Sequence, residues 1–112
     1  MNHPSEGVPP YRVAYSGLCR EQARQLLAMA SARGRLAEIA QIVRDVHRPL
    51  EWIPLDTGDP LRDLVNLGIQ ERIVVQTPLV VTYNVDETRR IVYVAIPFKL
   101  LPNSGLQSDQ KP

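Results

Sequence analysis

The feature that most constrains this sequence is a stretch in its last third, residues 70–101, which reads QERIVVQTPLVVTYNVDETRRIVYVAIPFKLL. β-Branched and aromatic side chains recur there at every second position, which is the period of a β-strand. The pattern predicts three strands, at residues 71–76, 79–85 and 90–98, with turns at 76–78 and 85–88. Such a sheet has an apolar face that another layer must cover.

Two amphipathic helices earlier in the chain are suited to that role. Apolar residues from Cys19 to Ala30 fall on one helical stripe and predict a helix over residues 18–33. Ser16 or Gly17 can cap its start, and Gly34 is a natural stop. A second stripe predicts a helix that starts at residue 35 and runs to His47 or Arg48, before Pro49 ends the pattern. The short connection predicts an antiparallel helical hairpin.

The remaining segments complete a single α+β domain. Alternation over residues 11–16 predicts a short first strand, and residues 51–60, which are rich in proline, predict a connector that holds Trp52 over the edge of the core. Residues 61–67 predict a short turn of helix that Gly68 ends. The predicted order is β-α-α-β-β-β, with the helical hairpin packed on one face of a small, mainly antiparallel sheet. We expect a disordered arm at residues 1–10, the domain at 11–101 and a flexible tail at 102–112.

Composition narrows the classes of function. The chain has 112 residues, 44% of them hydrophobic, and a formal net charge of +1, which argues against tight binding of nucleic acid through phosphate contacts alone. A single cysteine, Cys19, excludes an internal disulfide. The sequence holds no apolar run of the roughly 18 residues that a membrane span requires, and its first residues lack the features of a signal peptide. We therefore predict a cytoplasmic protein without membrane contact or small-molecule cofactor.

Several local motifs carry a resemblance to a known family. They are YRVAYS at residues 11–16, LEWIPLDTGDPLRDLVNLG at 50–68, and the strand sequences ERIVV, LVVTYNVD and RRIVYVAI. With the order of elements, these motifs resemble the RelE/ParE toxin superfamily of bacterial type II toxin–antitoxin systems over about residues 11–100. The resemblance implies a toxin that is a ribosome-dependent mRNA interferase or an inhibitor of DNA gyrase. It also implies a cognate antitoxin as partner, and a first strand lying beside the last.

Two departures from the ribonuclease branch of that family bear on activity. The middle strand has Val80 where that branch commonly has an arginine, and the last strand is followed by Lys99 without a nearby tyrosine or histidine. The resemblance leaves Arg72 and Lys99 as candidate catalytic residues at the scissile phosphate. Arg48, Arg72 and Lys99 are the candidate RNA-binding residues. The alternative is a catalytically degenerate interaction module with the same fold.

Other reactive side chains have simpler interpretations. Tyr83, Tyr93 and His47 are the only groups in the predicted domain suited to proton transfer during RNA cleavage, although strand tyrosines usually pack. Cys19 lies on the buried stripe of the first helix and is predicted to be a core residue. Asp56, Asp59 and Asp63 lack the spacing of a calcium-binding loop, so we predict no metal site.

Overall fold

Two helices and six strands follow one another along residues 9–95 and 98–101, the part of the chain that this computed structural model describes. The predicted α+β class, with a helical hairpin on one face of a mainly antiparallel sheet, is confirmed. Short 3-10 helices at Pro54–Asp56 and Val65–Leu67 flank the second strand. The elements are β1 Arg12–Tyr15, α1 Gly17–Ala32, α2 Leu36–Trp52, β2 Asp59–Leu64, β3 Ile69–Gln76, β4 Leu79–Asp86, β5 Ile91–Val94 and β6 Lys99–Leu100.

The strands form one sheet in the order β1-β5-β4-β3-β2, and β6 also pairs with β4. The pairs β2–β3, β3–β4, β4–β5 and β4–β6 are antiparallel, whereas β1 runs parallel to β5 with Val13 opposite Val92. A parallel neighbour requires a crossover connection, which the helical hairpin supplies at the start of the chain. The first strand therefore lies beside β5, which falls within the predicted last strand at residues 90–98, as the family resemblance implies.

The two helices cover one face of the sheet, which we call the covered face. We call the opposite face the open face. On β4 the alternate residues Leu79, Val81, Tyr83 and Val85 are fully buried on the covered face. From α1 and α2 the buried contributions are Cys19, Leu26, Ala30, Ile39, Val46 and Leu50. The apolar stripes that predicted the helices therefore form the core with the alternating strand residues.

The predicted start of α1 agrees with the structure, whereas the predicted end of α2 does not. Ser16 caps α1 by accepting a hydrogen bond from the Cys19 backbone N–H at 3.1 Å, as expected. The prediction that Pro49 ends α2 is wrong, because the helix continues through Pro49 to Trp52. Leu50 is completely buried in the core, and the Glu51 carbonyl accepts the Tyr11 N–H at 2.7 Å. These contacts stabilise a last turn that proline alone would disfavour, and Trp52 belongs to the helix rather than to the connector.

The predicted turn of helix over residues 61–67 is corrected in its first half. Residues up to Leu64 form the edge strand β2, and only Val65–Leu67 are helical, followed by Gly68 in the left-handed region at φ 67°. Antiparallel pairing with β3 satisfies the backbone of this segment and overrides its local helical pattern. Pro60 is tolerated because β2 is an edge strand, where one backbone N–H is not needed by a neighbour.

Of the predicted third strand over residues 90–98, the structure assigns Ile91–Val94 to β5, and the separate strand β6, Lys99–Leu100, begins after the predicted end. Tyr93 pairs with Asn84, and Lys99 pairs with Val80. Six positions separate Tyr93 from Lys99, whereas four positions separate their partners on β4. The ladder must therefore break between β5 and β6. Phe98 lies outside both strands, and its backbone N–H and carbonyl are bonded by the side chain of Gln22 at 2.6 Å each. Residues 96 and 97 lie outside the described residues.

The second predicted turn, over residues 85–88, is displaced by two positions. Asp86 belongs to β4, and its carboxylate accepts the Arg89 backbone N–H at 3.0 Å and the Arg89 guanidinium at 2.9 Å. These bonds hold the pKa of Asp86 below its ordinary value. Arg90 closes the turn with φ 55°, and its guanidinium lies 4.2 Å over the Tyr11 ring and donates to the Pro9 carbonyl. The predictions for residues 1–8 and 102–112 lie outside the described residues.

Candidate functional site: an arginine-rimmed cleft

Arg72, the first candidate catalytic residue, lies on the covered face with only 6% of its surface exposed. Its Nε and Nη2 atoms donate to the carbonyl oxygens of Thr57 and Gly58, each at 3.0 Å, and Nη1 donates to the side-chain oxygen of Gln70. The guanidinium thus fastens the connector to β3, and a phosphate group would have to displace these acceptors to reach it.

We call this region the connector clamp: Arg72, Tyr83, Thr57 and Gly58. The Tyr83 hydroxyl donates to the Pro54 carbonyl at 3.0 Å and lies within reach of the Thr57 carbonyl. Burial raises the pKa of Tyr83, and the Arg72 charge partly offsets the rise. Gly58, at φ 66°, passes so close to β3 that an added Cβ would lie 2.2 Å from the Ile73 carbonyl oxygen. Every member of the clamp has a packing or hydrogen-bonding role.

The other two candidate residues lie elsewhere. Lys99 is exposed and pairs with Val80, whereas Arg72 pairs with Tyr83 three positions along β4. Because side chains alternate between the faces of a strand, Lys99 points to the open face and Arg72 to the covered face. Tyr93 shares the open face with Lys99, at the position opposite Asn84. Arg48 is on α2. The predicted set of Arg48, Arg72 and Lys99 is therefore not brought together on one surface.

Arg48 instead borders a large cleft between the two helices, with a volume of about 1040 Å³. Its floor is apolar and is formed by the covered face of β4 together with Phe98 and inward side chains of both helices. The floor residues are Cys19, Ala23, Val43, Val46, Leu79, Val81 and Phe98. Cys19, Leu79 and Val81 have 1% or less of their surface exposed, so the apolar surface that a partner segment could contact is mainly that of the half-buried Ala23 and Val43.

Four arginines stand around this floor, and we call the whole feature the arginine cleft: Arg20 and Arg24 from α1, Arg44 and Arg48 from α2. Within each helix the two arginines are four positions apart, so they project from the same face. Arg24 forms an ion pair with Glu21, and Arg44 donates to Gln41 at 2.9 Å. Among the described residues, no hydrogen bond or ion pair engages the side chains of Arg20 and Arg48. Asp45 and Glu51 are the acidic residues of the lining.

The sequence analysis named only Arg48 among the four arginines of this site and did not find the site itself. The available signal was a repeated spacing, since both helices carry arginine pairs four positions apart. Because α1 lies in the first half of the hairpin and α2 runs back along it, the early pair of α1 meets the late pair of α2. Only the antiparallel packing of the hairpin turns two separate pairs into one rim.

One wall of the cleft holds a chain of three polar side chains. The Tyr15 hydroxyl lies 2.7 Å from His47 Nδ1, the two rings stack with centroids 5.8 Å apart, and His47 Nε2 lies 3.5 Å from a Glu51 carboxylate oxygen. Burial, with the charge of Glu51, raises the pKa of Tyr15 to about 12. The hydroxyl therefore keeps its proton at neutral pH, and whether it donates to Nδ1 or accepts from it depends on the tautomer of His47.

The remaining predictions concern Cys19, the three aspartates and a membrane span. Cys19 is completely buried in the core, as predicted. Asp56, Asp59 and Asp63 are exposed along the connector and β2, and residues 9–95 and 98–101 contain no group of three or more histidine, cysteine, aspartate or glutamate side chains arranged to hold a metal ion. In the same residues, neither helix combines the length and apolar character needed to cross a membrane.

Comparison with known proteins adds no family to this description. The chain matches no protein-family model, no curated protein and no solved structure.

Proposed function

We propose that this chain is a RelE/ParE-like toxin of a type II toxin–antitoxin system that acts by binding a macromolecular target through the arginine cleft. A cognate antitoxin would neutralise it by covering the cleft with an acidic, amphipathic segment. The target would be part of the translation or replication machinery, the ribosome with its mRNA or DNA gyrase, in the cytoplasm. The proposal retains the function implied by the sequence resemblance and moves its site away from Arg72 and Lys99.

One observation carries the choice of site. Arg20 and Arg48 stand unengaged beside an apolar floor, whereas the Arg72 guanidinium is fully occupied by the connector clamp. Arginine is well suited to interfaces because its planar guanidinium forms two hydrogen bonds with a carboxylate or phosphate and also packs on apolar surface. A cleft with an apolar floor and a cationic rim therefore favours an acidic partner segment or a phosphate-bearing target.

Growth arrest after induced expression in a bacterial host tests this proposal. We expect the wild-type chain to arrest growth and the double variant Arg20→Glu, Arg48→Glu to lose at least most of that effect, because its rim would repel an anionic target. Arg12→Glu with Lys99→Glu is the matched control, since both residues are exposed outside the cleft and the charge changes by the same amount. The control should still arrest growth.

Folding of each variant is checked by circular dichroism before its growth phenotype is interpreted. Normal growth with abundant, folded wild-type protein would contradict the toxin proposal. Arrest that persists in the cleft variant but disappears in the control would return the site to the open face and to Lys99.

A second candidate function, endoribonuclease, is favoured by the Tyr15–His47–Glu51 chain beside Arg48. A hydroxyl bonded to an imidazole that is itself paired with a carboxylate is an arrangement suited to moving a proton from an attacking 2′-hydroxyl. Fragmented transcripts in the arrested wild-type cells, absent with a folded His47→Gln variant, would favour this function. Intact transcripts in arrested cells would favour a binding mechanism such as gyrase inhibition.

A further inference from the structure

The edge of the sheet opposite β1 exposes acidic and apolar side chains, which are complementary to the arginine cleft. Apolar side chains are exposed along the connector, β2 and the following turn, with 81% of Val65 and 65% of Leu67 accessible. Three exposed aspartates lie among them, and the single arginine, Arg62, is paired with Glu71 at 3.6 Å. We call this surface the acidic edge: Ile53, Asp56, Asp59, Leu61, Asp63, Val65 and Leu67.

The charges of the two surfaces are opposite within one chain. The helical hairpin, positions 17–52, carries six arginines against four acidic residues, whereas positions 53–71 carry four acidic residues against one arginine. The nearly neutral net charge of the chain therefore combines one positively charged segment with one negatively charged segment. Exposed leucine and valine side chains on the acidic edge match the apolar floor of the cleft, so the complementarity includes both charge and hydrophobic contact.

A single molecule cannot join these two surfaces to each other. The edge strand β2 is held in the sheet by pairing with β3, at the end of the strand order opposite β1, and Tyr15 at the end of β1 lines the cleft. None of the acidic-edge residues lines the cleft, and pairing with β3 keeps β2 from leaving the sheet to enter it. The acidic edge of one molecule is therefore available to the arginine cleft of another.

We infer that the chain self-associates head to tail, with the acidic edge of one copy seated in the arginine cleft of the next. The aspartates of the edge face Arg20 and Arg48 of the neighbouring copy, and Leu61, Val65 and Leu67 supply the apolar contact. The two surfaces differ, so the contact is heterologous and can be repeated from copy to copy. A copy whose cleft is filled in this way cannot use the cleft for the target proposed above, which would make self-association a form of regulation.

Sedimentation velocity of the purified full chain over a range of concentrations, at low and high salt, tests this inference. We expect reversible association that weakens as salt rises, because the contacting charges are exposed. Arg20→Glu with Arg48→Glu should weaken association about tenfold or more, and Asp56→Lys should weaken it as well. Asp59 and Asp63 are left unchanged, because the Asp59 charge acts on Tyr83 and Asp63 accepts the side-chain amide of Gln70, whose oxygen is bonded by Arg72.

The decisive variant combines both charge reversals in one chain. Opposite charges then face each other again, and we expect association to return to within about threefold of the wild-type constant. The control Arg12→Glu with Lys99→Glu makes the same charge change as the cleft variant at exposed sites outside both surfaces and should associate like the wild type. Circular dichroism verifies that each variant is folded.

A wild-type chain that stays monomeric at low salt up to several hundred micromolar would overturn the inference. Association that neither single reversal weakens, or that the combined reversal fails to restore, would also overturn it. These measurements use the pure chain without host or antitoxin, so their failure leaves the growth-arrest test of the proposed function unaffected.

Discussion

The connector clamp and the arginine cleft use the same side chain in opposite ways. In the clamp, Arg72 is buried and donates to the Thr57 and Gly58 carbonyls and to Gln70. In the cleft, Arg20 and Arg48 are exposed, and no hydrogen bond or ion pair among the described residues engages their side chains. A buried guanidinium must satisfy its donors within the fold, whereas an exposed one remains available to a ligand. The comparison separates a structural arginine from two candidate binding arginines.

Because Arg72 belongs to the connector clamp, replacing it cannot distinguish a catalytic role from a structural one. Replacing it would leave the Gly58 carbonyl and the Gln70 side-chain oxygen without their donor, and a loss of function would then reflect a loosened fold. The exposed arginines of the cleft do not carry this ambiguity. The following predictions test the contrast, beginning with the change expected to have the largest effect.

Gly58→Ala should break the clamp most severely. The new Cβ would lie 2.2 Å from the Ile73 carbonyl oxygen, in a backbone conformation at φ 66° that disfavours any side chain. We expect the free energy of unfolding to fall by about 3 kcal/mol or more, measured by denaturant unfolding. Gly68→Ala is the matched control, since φ is 67° there but no atom lies within 4 Å of the new Cβ. A loss of about 1 kcal/mol is expected for the control, and equal losses would refute the steric argument.

Arg72→Met should separate the two kinds of arginine directly. Methionine keeps much of the apolar stem but leaves the Gly58 carbonyl and the Gln70 side-chain oxygen without their donor, so we expect a loss of about 2–3 kcal/mol in the free energy of unfolding. Arg48→Met, in the cleft, should change that free energy by no more than about 0.5 kcal/mol. If thermal and denaturant unfolding showed the same small change for both variants, the structural role assigned to Arg72 would be wrong.

Tyr15→Phe should have a smaller effect on stability and a distinctive pH dependence. Losing the hydrogen bond to His47 should cost about 1 kcal/mol near neutral pH. The folded pKa of Tyr15, about 12, lies above the ordinary value of 10, so its contribution to stability is present below pH 10 and is lost as the pH rises towards 12.

Unfolding measured between pH 8 and pH 11 should therefore show a shallower decline for the phenylalanine variant than for the wild type. The raised pKa values of Tyr11 and Tyr83 leave a residual decline in both proteins. Identical pH profiles would show that Tyr15 titrates as an exposed tyrosine.

Local pattern predicted the elements of this fold better than it predicted its sites. Cys19, Leu26 and Ala30 followed from helical spacing, and Val81 and Val85 from strand alternation, because burial of one face imposes those periods. The strand β2 was missed since Leu61 and Leu64 also fit a helical turn, and only pairing with β3 decides between the two. Arg72 was a candidate catalytic residue from the family resemblance, and nothing in its neighbourhood along the chain revealed that the Thr57 and Gly58 carbonyls would engage it.

The sequence by itself determined the α+β class, the two helical stripes and the alternation of β4, because these depend on residues close together in the chain. It also contained the two arginine pairs and the aspartates of the acidic edge. Tertiary structure alone decided that Arg20 and Arg48 border one cleft, that Arg72 is buried and that Lys99 lies on the opposite face. The physical reason is that burial and alignment depend on partners up to 81 residues away, as between Arg90 and Pro9, and strand register fixes them only when the whole sheet has formed.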